Sequence, residues 1–346
     1  MKISARAFAF TFVALAFVAA AALRAQDPGP LPPFQPPANR MPVVRLWGDR
    51  FLSALALRWA EEFHAAHAEW SAESNLLGDG TAMPALYTGF ADVALFGRDL
   101  IATDIDGFAH VLKYPHLAIE IGTGSLDKPG QSPALVVFVH RDNPLAHLTL
   151  AQLDAIFGAE RRRGAPAAIR TWGDLGLGGE WRDQPINLYA DDTHTGPSQF
   201  FQRVVMRDSR KFNWERITEF KNLRRPDGTT DRAAAQSLAA LRADRFGLAV
   251  ANLHDADSGV KPLALAASDG GLFFTPTREN CIARTYPLAR PILACVNRPP
   301  GLPLDPKVRE FLRYVLSPAG QRDYAREGHF LPLPEALALE QWRKIE

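Results

Sequence analysis

Residues 135–158 read LVVFVHRDNPLAHLTLAQLDAIFG, and the two halves of this stretch follow different periodicities. Residues 135–139 are a continuous apolar, β-branched run, too short to span a membrane and typical of a buried strand. Asp142, Asn143 and Pro144 end it, because proline cannot extend a strand ladder and aspartate and asparagine favour turns. Thr149 then stands at an N-cap position, and Leu150, Leu153, Ile156 and Phe157 follow at helical spacing. A buried strand feeding a short amphipathic helix is an α/β unit.

The same alternation extends on both sides. Upstream, residues 43–47 read as a strand, Gly48 and Asp49 as a turn, and residues 51–67 as a helix striped by Leu52, Leu55, Ala56, Trp59 and Phe63. Residues 75–83 form a glycine-rich turn expected to open a helix at 84–88. Residues 91–96 are strand-like and run into Gly97, Arg98 and Asp99. Downstream, a strand at 186–189 leads through the turn at Asp191 into a helix from Ser198 to about Met206. A helix at 231–243 and a strand at 246–250 follow, and that strand is expected to return the chain to the first domain. Helices at Pro306–Leu316 and Pro318–Glu327 finish it, the latter with Ser317 as N-cap and proline at the first helical position. Strand-to-helix turns gather ligand groups in open α/β sheets, and helix starts present free N–H groups that suit oxyanions.

Outside this alternation the chain begins as an export signal. Lys2 and Arg6 precede a nearly uncharged apolar run at 7–22, and small residues near Ala25 offer a cleavage site. Residues 1–25 are therefore expected to be a signal peptide directing the protein to a periplasm. Residues 26–42, dense in proline, are expected to be an extended linker. About 320 residues remain, enough for two domains. With 39 Lys and Arg against 38 Asp and Glu, the net charge of +1 gives no field for a nucleic-acid partner. Cys281 and Cys295, fourteen positions apart, read either as a disulfide stapling neighbouring strands or as two buried thiols in adjacent strands.

Several motifs, in order, resemble the phosphate-binding type of extracytoplasmic solute-binding protein that serves ABC transporters. They are ADVALFGRDL at 91–100, VFVxxDNPLxxLTLxQLxxIF within 137–157, TWGDLG at 171–176, DDTHTGPSQFF at 191–201, FGLAV at 246–250, YPLARPILACVN at 286–297 and VREFLRYVLSPAGQ at 308–321. The resemblance implies an α/β, two-lobed periplasmic binding protein-like fold, each lobe a mixed sheet flanked by helices, joined by two hinge crossovers near 131–137 and 250–258. Lobe 1 would comprise 43–132 and 253–346, and lobe 2 would comprise 133–252. It further implies a monomer that closes on a small-molecule solute, an anion by family, and passes it to an ABC transporter permease, without a cofactor.

The family's four binding turns align with Gly48-Asp49, with Gly78-Asp79-Gly80-Thr81, with Gly97-Arg98, and with Asp191 followed by Thr193, His194, Thr195 and Gly196. The departures are acidic. Where the family turns read GSDT, GGSGTG and RDSGSGT, this chain places Asp49, Asp79 and Asp191, and Pro197 removes one N–H from the helix start. Phosphate itself is therefore expected to bind weakly. Asp49 and Asp79 are equally readable as turn or cap residues, and Arg98 as a structural partner of Asp99 or Asp49. His194 beside two aspartates reads as an exposed loop residue, since no second histidine stands at metal-ligand spacing. No G-x-S-x-G, H-E-x-x-H or P-loop motif is present, so an enzyme is not expected. The alternative is a binding-protein fold that has lost its small ligand and acts as a sensor or on a protein partner.

Overall fold

The structure is a computed structural model, and it describes residues 42–128 and 133–346. The expected signal peptide, the linker up to residue 41 and part of the first expected crossover lie outside the described residues.

The chain opens with β1 (Val43–Gly48), a 3-10 turn at Arg50–Leu52 and α1 (Ser53–Ala66). The expected stripe of Leu52, Leu55, Ala56, Trp59 and Phe63 is fully buried. Next come β2 (Ser71–Asn75), α2 (Asp79–Tyr87), β3 (Val93–Phe96), α3 (Ala102–Leu112) and β4 (Leu117–Thr123). β2 pairs parallel with β1 at the sheet's edge. Its sequence, SAESN, has no apolar alternation: Ala72 packs on the core, and Glu73, Ser74 and Asn75 are exposed at this edge. The helix expected at 84–88 begins instead at Asp79, with Pro84 inside it.

The quoted stretch then builds the second sheet. Its strand is β5 (Val136–His140), followed by β6 (His147–Thr149) and α4 (Leu150–Phe157). Thr149 caps the helix as expected, and Gln152 returns a bond to the Thr149 N–H at 2.9 Å. After two 3-10 turns come β7 (Asn187–Asp191), α5 (Gly196–Val204), β8 (Ile217–Phe220) and the hairpin of β9 (Leu223–Arg224) with β10 (Thr230–Asp231). Then follow α6 (Ala233–Ala243), β11 (Gly247–Ala251), β12 (Val260–Pro262), β13 (Ala264–Ala266) and α7 (Arg278–Ile282). The order is β12-β5-β11-β7-β8. β11 lies at its centre, antiparallel to β5 and parallel to β7.

The return to the first sheet is therefore not at 250–258. After β11 the chain stays with the second sheet: Val260 pairs with His140, and Leu263 donates to the Val137 carbonyl at 2.9 Å. Val260, Leu263 and Leu265 are buried there, which is what holds this segment in place. The chain crosses back just before β14 (Pro291–Val296), which enters antiparallel between β3 and β4 and completes the order β2-β1-β3-β14-β4. α8 (Pro306–Leu316), α9 (Pro318–Glu327) and α10 (Glu335–Ile345) finish the chain, and Phe311 and Tyr324 meet Trp59 edge-on. The two crossings lie side by side: Gly124 N donates to Arg290 O at 2.8 Å and Leu135 N to Leu288 O at 3.1 Å.

The cysteines are two buried thiols, as the second reading expected, and not a disulfide, but they do not lie in adjacent strands. Cys281 lies on α7 in the core of the second sheet, whereas Cys295 lies in β14 beside Phe96 and Phe108 under the first. Both are buried free thiols. Burial pushes the Cys281 thiol up to about 12 and Cys295 further. Ellman's reagent is expected to label neither in native buffer and both in guanidinium chloride, and reductant should leave Tm unchanged. A Tm that falls on reduction would show a bridge.

Candidate functional site

β1 and β3 end side by side, and Gly48 is what lets them do so. Its φ is +149°, and a Cβ there would stand 2.0 Å from the Leu95 carbonyl oxygen. Around it, Asp49 N donates to Leu95 O at 3.0 Å and Gly78 N donates to Gly48 O at 2.9 Å. The expected first, second and third turns thus meet at one sheet end.

Asp49 is 7% exposed, and its Oδ1 accepts from Phe51 N at 3.0 Å, capping the 3-10 turn. Burial first, then neighbouring Asp79, pushes its carboxyl above the usual range. Asp79 opens α2, Gly80 faces open space, and the Thr81 hydroxyl donates to the Gly78 carbonyl at 2.7 Å. Gly97 is buried behind β3. Arg98 is held within its own half. It pairs with Asp79, donates to Asp104 at 2.6 and 3.3 Å and reaches the Asp99 carbonyl at 2.8 Å. Its carboxylate partners are Asp79 and Asp104, not the Asp99 or Asp49 side chain.

Across from these, β7 ends on Asp191. Burial, and then the charge of Asp255, pushes this carboxyl up to about 6, while Arg290 pulls the other way. Asp192 behaves oppositely: the backbone and ring N–H groups of His194, and Lys221, hold it at about 2. The His194 side chain is 91% exposed, at the rim of the groove between Ile105 and Trp214. Thr195 precedes α5, its hydroxyl donating to the Asp192 carbonyl at 2.8 Å. Gly196 faces the other half closely: a Cβ there would stand 3.6 Å from Arg98 Cδ and 3.8 Å from Arg290 Nη2. Behind this turn lies a void of ≈ 20 Å³, room for about one water. It is walled by Phe157, Phe201 and Val250, with Asp191 and Thr193 at its edge. Asp191 Oδ1 and Thr193 Oγ1 both lack a hydrogen-bond partner among the described residues.

Three residues of the cluster escaped the sequence reading, Asp104, Arg203 and Arg290, and Asp99 entered it only in the third turn, as a structural partner for Arg98. Arg203 on α5 pairs with Asp99 across the cleft. Arg290 is 2% exposed, its Nε 3.8 Å from Asp99 Oδ2. The one signal for Arg290 in the sequence was a lone charge inside the apolar run YPLARPIL. Together the cluster holds Arg98, Arg203 and Arg290 against Asp49, Asp79, Asp99, Asp104 and Asp191. Beside it a groove of ≈ 600 Å³ runs between Thr103 and Ile105 on one side and Gln199, Arg203 and Trp214 on the other. Among the described residues no group of three or more His, Cys, Asp or Glu side chains is placed to hold a metal.

A family model described as a PBP superfamily domain matches residues 35–319. The chain belongs to the PBP superfamily. It is a solute-binding protein of that superfamily, whose members are not enzymes, and its two sheets flanked by helices form the two lobes of that fold. The phosphate-binding protein PstS of Pseudomonas aeruginosa is 30% identical over 338 residues, 98% of this chain and 97% of that one. Protein SphX of Synechococcus elongatus is 24% identical over 306 residues, 87% and 81% of the two chains. Among solved structures, PstS from Borrelia burgdorferi superposes with a TM-score of 0.54 at 16% identity, covering 85% of this chain and 99% of that one. An ABC-type phosphate transport receptor from Vibrio cholerae gives 0.51 at 17%, covering 84% and 100%. At those identities the structures share the fold with this PBP-superfamily chain. Its departures at Asp49, Asp79 and Asp191 then set the question of ligand.

Proposed function

We propose that this protein is an extracytoplasmic receptor that closes on a small solute between its lobes and delivers it to an ABC transporter permease. Residues 1–25 serve as its export signal and 26–42 as a tether, and the mature protein acts as a monomer. The observation that carries the reading is the meeting of Arg98, Arg290 and the Gly196 end of α5 in one buried cluster drawn from both lobes. The names of the relatives, phosphate-binding proteins and a phosphate transport receptor, support an oxyanion-bearing solute. The charges restrict it further. Fully ionised, the cluster's acids outnumber its arginines by two, five against three. Unit charges about 4 Å apart interact by about 4 kcal/mol at an effective dielectric near 20, so a dianion is opposed at neutral pH. A monoanion or a zwitterion is favoured, and closure follows from its contacts with both lobes.

A second reading has its own support. Arg203 pairs directly with Asp99 across the cleft, and two carboxylates already occupy Arg98. A protein with these self-satisfied pairs would act on a partner without a small ligand. Native mass spectrometry of protein purified from its own periplasm separates the two. A retained small mass, released on partial unfolding, is expected. A bare chain mass, together with a Tm unmoved by phosphate, sulfate or amino acids, would favour the second reading.

A further inference from the structure

Two loops distant in sequence meet on one face of lobe 2 and crowd it with cations. Residues 160–163 read ERRR and residues 207–211 read RDSRK, six basic side chains against two acidic ones. The whole chain carries only +1, so the rest of it is acidic on balance. The loops brace each other. Ala159 N donates to Lys211 O at 2.8 Å, Arg162 Nη1 to Arg207 O at 3.0 Å, and Ser209 Oγ to Glu160 at 2.8 Å. Arg161, Arg207 and Asp208 hold φ values of 50°, 47° and 61°, three of the five non-glycine residues with positive φ among the described residues. Left-handed backbone without glycine is strained and crowded like charges repel, so the arrangement costs stability.

Part of the patch has a structural account. Arg163 donates to the Val204 and Val205 carbonyls at the end of α5, where a cation complements the helix dipole. Glu160 pairs with Arg162 at 2.8 Å and with Lys211 at 2.7 Å. Asp154, buried beneath the loop, accepts from the Arg163 backbone N–H at 2.7 Å. That account leaves out Arg161, Arg207 and Arg210, which have no carboxylate partner among the described residues. Arg207, Arg210 and Lys211 are exposed.

Cations spread over two loops suit an array of separate anions better than one small ion, and guanidinium groups fork phosphate oxygens. Beside them stands Trp214, 52% exposed, with Phe212 packed edge-on against its ring at 5.5 Å. Exposed tryptophan among basic side chains fits a membrane–water interface, where the indole sits at headgroup level. We propose that this face docks on the anionic lipid headgroups of a bilayer, Arg161, Arg207, Arg210 and Lys211 meeting phosphates while Trp214 enters the headgroup layer. The proposal rests on the extracytoplasmic reading above for the membrane it would meet. Its consequence is orientation. Arg210 and Trp214 also line the groove of ≈ 600 Å³ beside the charge cluster, so docking brings that groove to the bilayer surface, where a permease takes up solute.

The test is co-sedimentation of the full chain with vesicles of phosphatidylcholine alone or mixed with phosphatidylglycerol. The wild type is expected to bind only the mixed vesicles, at low salt, and to leave them at high salt. An anionic surface shifts partitioning about fivefold per nearby basic residue, so Arg207→Gln, Arg210→Gln and Lys211→Gln together should weaken binding about a hundredfold. A control triple on lobe 1 with the same change in net charge, Lys113→Gln, Arg322→Gln and Arg343→Gln, is expected to bind as the wild type does; all three positions are exposed. Brominated lipids are expected to quench tryptophan fluorescence in the wild type and not in Trp214→Ala. Absence of binding to the mixed vesicles overturns the proposal, and so does equal weakening in the two triples, which would leave net charge as the cause. Quenching that persists in Trp214→Ala overturns the assigned face. Binding to polyglutamate but not to vesicles, lost in the first triple, overturns the bilayer in favour of an acidic protein partner. None of these outcomes bears on the solute retained in native mass spectrometry, so the solute reading stands or falls separately.

Discussion

Phosphate affinity is expected to rise at least tenfold between pH 7.5 and pH 5, and Asp191→Asn is expected to remove most of that rise by strengthening binding at pH 7.5. Burial, and then Asp255, pushes the Asp191 carboxyl up to about 6. Above that pH it carries a negative charge in the neighbourhood of Arg290; below it the charge is gone. At about 7 Å and an effective dielectric near 20, one unit charge opposes another by about 2 kcal/mol, more than a tenfold effect. Phosphate itself changes charge over this range, so sulfate, which stays a dianion, is the control and should follow the same trend. The sign for stability is fixed by the same shift. A carboxyl whose pKa is raised on folding binds its proton more tightly in the native state. Its ionised form therefore costs stability above about pH 6, a cost that is gone below its unfolded value near 4. Asp191→Asn should raise the ligand-free Tm at pH 7.5 and leave it nearly unchanged at pH 4. A flat pH profile, with affinity unchanged in Asp191→Asn, would mean that the acid serves the void behind it and not the cleft.

Gly48→Ala is expected to cost more than about 3 kcal/mol in urea unfolding, or to prevent folding altogether. The methyl group would stand 2.0 Å from Leu95 O and 2.8 Å from Leu95 C, both backbone atoms that cannot rotate away. It would also disturb the Asp49 and Gly78 bonds that gather the first three turns. Gly78→Ala is the matched control: φ there is +139°, but nothing lies within 4 Å of the added carbon. Backbone strain alone, about 1–2 kcal/mol, is expected at Gly78. Equal losses at the two positions would show that strain and not crowding decides at Gly48.

The elements legible in the sequence were those whose own residues carry the pattern. α8 and α9 begin with proline after a capping residue, and both match their expected bounds, Pro306–Leu316 and Pro318–Glu327. The buried stripe of α1 was readable for the same reason. β2 was not, because a polar edge strand owes its pairing to β1 and not to its own composition. The late return was missed because β12 is only three residues long and is fixed by β5, more than a hundred positions earlier. At the site, the glycine and aspartate turns could be placed, since turn chemistry is local. The partners of Arg98 and the existence of the Arg290 cluster could not, since each depends on charges brought together by the lobes. The run of three arginines at 161–163 includes one built into the fold, which its local sequence does not reveal: Arg163 donates to the carbonyls of Val204 and Val205 at the end of α5.

The position of β14 sets an order of assembly. Every strand of the second sheet lies within one continuous segment, whereas the first sheet needs β14 between β3 and β4 before β4 has any neighbour. As the chain emerges N-terminus first, β1 to β4 must wait with open edges while the later segment completes its own sheet. The half of the molecule made first thus finishes last. A chain truncated before residue 291 is expected to hold a formed second sheet beside an aggregation-prone remnant, which makes the C-terminal fifty-odd residues the clasp of the whole protein.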